Sequence, residues 1–204
     1  MTIREEYIRI LQSQCETSNH NEPTKMNIHI PLRGSAFDYC FQLNAKILQV
    51  ASSTINFGPS SFHIPHITIN MGYLNNSADF IVALDSLYAL AKEQNIFKIQ
   101  LSKIYLKEPS KNYVFIDIDQ IDRVFELKHI VSHRLGGLIM PLDWDVVNER
   151  PHVTVAYIED NFNAVEDLLL NYPLGPECTA DALEISFAGP KGSCLGSLRS
   201  FYFT

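Results

Sequence analysis

Pro65-His66-Ile67-Thr68-Ile69 and, 86 positions later, Pro151-His152-Val153-Thr154-Val155 repeat one local pattern: proline, histidine, aliphatic, threonine, aliphatic. Composition alone yields about 0.3 His-x-Thr triplets in such a chain, so two copies with matching flanks are not a product of chance. Their β-branched content marks both as strands. In a strand, residues i and i+2 share a face, which sets His66 beside Thr68 and His152 beside Thr154. Ile67, Ile69, Val153 and Val155 then turn the other way, toward a core. Each copy presents an imidazole and a hydroxyl together on a rigid support.

Working outward, each copy sits in a similar run of elements. The first half reads as a strand over Asn27 to Leu32, a helix from about Ala36 to Ser52, and the His66 to Met71 strand. A helix from Ser77, taken as its N-cap, to Asn95 and a strand from Phe97 to Leu106 follow. The second half reads as a strand over Tyr113 to Ile118 and a helix from Asp122 to Leu135 stopped by Gly136-Gly137. A connector with Pro141 and Trp144 leads to the His152 to Ile158 strand, a helix from Ala164 to Asn171, and strands near Ala182 to Ala188 and Leu198 to Phe203. The repeated order predicts an α+β fold that is bilobal, with two pseudo-symmetric lobes whose antiparallel sheets face a central cleft. The single domain is expected over 26–204, with lobes at 26–111 and 112–204 and room for strand exchange between them. Residues 1–25 read as a helix from Ile3 to Gln14, apolar on one face, and a polar linker ending at Pro23.

The chain has 204 residues, 46% hydrophobic and 19% charged, enough for a real core. Its 16 Lys+Arg against 23 Asp+Glu give a net charge of -7, a field that repels polyanions and excludes an extended, nonspecific nucleic-acid surface. A phosphorylated substrate has to be small or held at a local site. Apolar runs fall short of the roughly 18 residues of a membrane span. The opening Met1-Thr2-Ile3-Arg4-Glu5-Glu6 lacks the basic start of a secretory signal, so a cytoplasmic protein is expected; it is also expected to be a monomer. Cys15, Cys40, Cys178 and Cys194 form no CxxC pair and are read as reduced packing residues.

Two histidines and two hydroxyls converging on one cleft suit phosphodiester chemistry with neither metal nor cofactor. With an unperturbed pKa near 6.5, one ring can be neutral and take a proton from the attacking oxygen while the other, protonated, gives one to the leaving oxygen. The threonine hydroxyls can donate to the non-bridging phosphate oxygens. Either histidine fits either role.

The paired motifs His66-Ile67-Thr68-Ile69 and His152-Val153-Thr154-Val155 resemble the signature of the two-histidine (2H) phosphoesterase superfamily, which includes 2'-5' RNA ligase-like proteins and cyclic nucleotide phosphodiesterases. The resemblance covers Met26 to Thr204. It implies a bilobal α+β fold, metal-independent catalysis by His66, Thr68, His152 and Thr154, and a small nucleotide or RNA end with a 2',3'-cyclic phosphate or 2'-5' linkage as substrate. RNA ligation is a further activity within its range. The second motif is similar to that of plant-type cyclic phosphodiesterases, with Tyr157 five residues after the histidine as a substrate contact; strict alternation would turn it away unless a bulge or the strand's end intervenes. No arginine follows either motif, where Asn70-Met71-Gly72 and Ala156-Tyr157-Ile158 stand, a departure from the bacterial ligase-like pattern. Arg150 and His29 complete the candidate substrate-binding residues. His63, His129 and His133 read as surface or packing residues rather than metal ligands, and Trp144, Phe62 and Tyr73 as packing aromatics. The competing function is a catalytically silent module that binds a nucleotide or RNA end in the same cleft.

Overall fold

The computed structural model describes residues 23–58 and 61–204. The expected helix at 3–14, its linker and Cys15 lie outside the described residues.

β1 (Thr24–Pro31) turns Met26, Ile28 and Ile30 into the core and Asn27 and His29 to the opposite face. α1 (Ser35–Val50) lays Ala36, Cys40, Leu43 and Ile47, spaced at helical period, under the sheet. β2 (His66–Leu74) and α2 (Ser77–Lys92) follow. The cap of α2 is Asn76 rather than Ser77: its side chain accepts the Asp79 N–H at 2.9 Å. Next come β3 (Phe97–Leu106), β4 (Tyr113–Ile118), α3 (Ile121–Arg134), β5 (Ile139–Pro141) and β6 (His152–Tyr157). α4 (Phe162–Leu170), β7 (Glu177–Ala180), β8 (Ala182–Ala188) and β9 (Cys194–Tyr202) complete the described elements. β5 falls in the stretch read from sequence as a connector, and β7 between the elements read there.

All nine strands join one antiparallel sheet, in the order β7-β3-β4-β6-β2-β1-β8-β9, with β5 added on β2. The α+β character expected from the repeat is what the structure has. The halves of the sheet do not follow the halves of the chain: β3 pairs with β4 and β7, while β8 joins β1. The two motif strands lie side by side at the centre, in register at Ile67↔Val153, both fully buried. Cys40, Cys178 and Cys194 are free and buried, as packing residues are. No described helix is long and apolar enough to cross a membrane.

Candidate active site

Antiparallel pairing at Ile67↔Val153 sets the motifs crosswise, with His66 alongside Thr154 and Thr68 alongside His152. Each histidine is anchored the same way. The His66 Nδ1–H donates to the Ile64 carbonyl at 2.9 Å, and the His152 Nδ1–H donates to the Arg150 carbonyl at 2.7 Å. The proline between donor and acceptor in each motif holds the residue before it extended, which aims that carbonyl. With Nδ1 spent, Nε2 is the nitrogen left for chemistry on both rings.

The surroundings of the two rings differ. His66 is buried, and its Nε2 accepts from Asn27 Nδ2 and from the Thr68 hydroxyl, both at 3.1 Å. Burial first, then the charge of His29, pushes its pKa down to about 3, so the ring is neutral. His152 is half-buried, stacked on Phe115 with ring centres 3.8 Å apart. Desolvation lowers its pKa as well, opposed by the Arg150 carbonyl and the nearby Glu149 carboxylate.

Beside these rings lies a cavity of about 210 Å³ lined by Thr68, His152 and Thr154, by Tyr113 and Phe115 of β4, and by Lys107, Lys128, Arg150 and Lys191. Against four cations, Glu149 is the one acidic group in the lining. A protein of net charge -7 thus has a locally basic site. Lys107 is held by Glu149 at 2.8 Å. Lys128, buried on α3, donates to the Val146 and Glu149 carbonyls at 2.7 Å each, and desolvation brings its pKa down to about 8.

Of the further candidates, Arg150 reaches the cavity wall, with its guanidinium on Asp117 at 3.2 and 3.3 Å. Tyr157 does stand on the motif face. Val114 pairs with Ala156 and Phe115 with Thr154, so Val155 is an extra residue in β6, a bulge that resets the alternation. β2 has the same bulge at Ile69, since Ile28 pairs with Asn70 and His29 with Thr68. Tyr157 packs edge-on against Tyr113 at 4.8 Å, at the margin of the cavity rather than in its wall. His29, expected to line the site, is instead wholly buried and does not reach the cavity. It sits edge-on behind His66 at 5.1 Å, with Nε2 3.6 Å from Glu184. Burial disfavours its charge, but its contacts with Cys194 and Glu184 prevail and its pKa is pushed up to about 9. His63 accepts the Asn56 N–H at 3.2 Å, and His129 and His133 are exposed on α3. Trp144 lines the cavity, partly exposed. Asn27, Lys107, Tyr113, Phe115, Lys128 and Lys191 carry no local sequence signal; cross-strand register and loop packing bring them in.

No family model matches the chain, and no curated protein matches it. Among solved structures, TT0787 of Thermus thermophilus superposes with TM-score 0.63 at 15% identity over 88% of this chain and 97% of the other. LigT of E. coli complexed with ATP gives 0.60 at 14% identity over 90% and 99%, and LigT has also been solved with phosphate, NADP+ and 3'-AMP. Usb1 of Kluyveromyces marxianus gives 0.53 at 10% identity over 89% and 99%. These superpositions give the chain the fold of TT0787, LigT and Usb1.

Proposed function

We propose that this chain is a phosphodiesterase that opens a 2',3'-cyclic phosphate or a 2'-5' linkage on a small nucleotide or RNA end, with His66 as general base and His152 as general acid. The observation that carries this reading is the crosswise array: Thr68, His152 and Thr154 in the wall of one basic cavity, and the buried His66 bonded through Nε2 to the Thr68 hydroxyl. His66, neutral with an accepting Nε2, takes a proton from the attacking water, which displaces the Thr68 hydroxyl as donor and frees it for the phosphate. The water oxygen bonds to phosphorus and the ester P–O bond breaks. His152, protonated on Nε2, delivers its proton to the departing oxygen. The threonine hydroxyls meet the charge on the non-bridging oxygens, inside a locally basic cavity. The complexes of LigT with phosphate and 3'-AMP support a phosphate-bearing ligand for this fold.

The test is hydrolysis of a panel of 2',3'-cyclic nucleotides and 2'-5' linked oligoadenylates with EDTA present. Wild type should turn over at least one class, and His66→Ala and His152→Ala should each reduce turnover by roughly 10² to 10⁴-fold. A single mutant that keeps near-normal rate, or loss of wild-type turnover on chelation, would overturn the reading. Retained nucleotide binding without turnover would make the protein a binding module.

A further inference from the structure

Lys191 is the cation of the cavity wall that has neither a carboxylate within 4.0 Å nor a hydrogen-bond partner among the described residues. Lys107 is spent on Glu149, Arg150 on Asp117, and Lys128 on two carbonyls. The ammonium of Lys191 lies 4.4 Å from the Tyr157 ring centre, a cation–π contact that holds its position and leaves its three N–H donors unspent. Tyr157 is in turn fixed against Tyr113, a wall residue of the same cavity. The backbone is unusual at the same position. Lys191 has φ 56, in the left-handed region that glycine tolerates and lysine does not favour, inside a turn closed by Gly189 N–H to the Ser193 carbonyl at 2.8 Å. A lysine kept where glycine would relax the turn is a strained residue facing a cavity.

Its place along the strand separates it from the reacting phosphate. Tyr157 lies on the far side of Thr154 from His152, about four strand steps of roughly 3.3 Å away once the bulge at Val155 is discounted. From these observations we infer that Lys191, over Tyr157 and beside Tyr113, forms a second anion subsite. The substrate then carries, besides the diester that reacts, a second phosphate on the same nucleotide unit or the next one. This inference rests on the phosphodiesterase reading and names its substrate class.

The experiment compares a nucleoside 2',3'-cyclic phosphate with the same compound bearing a 5'-phosphate, in wild type, Lys191→Ala, Lys191→Arg and Lys191→Gly. Wild type should favour the 5'-phosphorylated compound in kcat/KM by roughly tenfold, the scale of one charge-assisted hydrogen bond, mostly through KM. Lys191→Ala should bring the ratio close to one and Lys191→Arg should keep it. Lys191→Gly should lose it while raising the urea midpoint, because it relieves the turn; loss of preference in a more stable protein excludes misfolding as the cause. No preference in wild type, or equal loss on both substrates in Lys191→Ala, would overturn the subsite, the latter assigning Lys191 to the reacting phosphate. If neither compound is hydrolysed, the cyclic-phosphate arm of the phosphodiesterase reading falls on its own. Calorimetric binding of a nucleoside 2',5'-bisphosphate against its 2'-monophosphate, in wild type and Lys191→Ala, then decides the subsite: tighter binding of the bisphosphate that Lys191→Ala abolishes upholds it, and equal binding ends it.

Discussion

His66 and His152 share one anchor and differ in what lies behind them. Behind His66 is His29, charged against Glu184, which also takes Arg33 at 2.7 Å and the Ser200 hydroxyl at 2.7 Å. A cation there opposes a second one on His66. Under the proposed roles, with His66 neutral and His152 protonated, kcat/KM should rise through about pH 3 and fall through a value below 6.5. A pH–rate profile with its maximum on the acid side of 6.5 is therefore expected, and a maximum near pH 8 would reverse or remove these roles. Stability should follow a different pair, His66 and His29. Between pH 3 and 6.5 the unfolded state binds the proton that folded His66 refuses, so stability drops as pH falls through that window. Between 6.5 and 9 folded His29 keeps a proton that the unfolded state releases, so stability drops as pH rises. Urea titrations should peak near pH 6.5, and His29→Gln should flatten the alkaline side. The motif residues were legible because histidine and threonine two apart need only the strand period to share a face. His29 was legible as a residue of that face but not as a buried one, because the strand that covers it, β8, comes from the distant end of the described chain.

At the scale of elements, the bulges decide more than strand length does. One extra residue after each threonine, Ile69 in β2 and Val155 in β6, returns Met71 and Tyr157 to the motif face. Nothing local marks them, since a bulge is defined against a partner strand. The three-residue β5 escaped sequence reading for a like reason: it forms only because β2 offers an edge at Gly72. A Cβ at Gly72 would overlap the Met140 carbonyl oxygen and the Ile139 side chain. Gly72→Ala should therefore cost about 1 to 3 kcal/mol and loosen β5 and the loop that holds Trp144. Trp144 is the single tryptophan, so its fluorescence reports that loop directly. An unchanged urea midpoint with unchanged emission would show that β5 has slack which this packing does not suggest.

For the whole molecule, charge and topology pull in different directions from the local site. A surface of net charge -7 around a basic cavity admits a short anion and repels a long one. Lengthening an RNA substrate beyond two or three nucleotides should bring no gain in kcat/KM. A steady gain with length, measured at fixed salt, would reveal an extended binding track. The α+β class was readable from the repeated order of elements, whereas the distribution of strands between the two halves of the sheet was not. Periodicity reports which face of a strand is apolar, not which neighbour covers its edge.

That distribution has a consequence for how the protein is made. The edge of β1 at Met26 to His29 is closed by Phe187 to Glu184. A ribosome adding roughly 5 to 20 residues per second needs on the order of ten to thirty seconds to supply that partner. Throughout this interval the nascent chain carries β1 with that one edge unpaired, open to other nascent chains and to holdase chaperones.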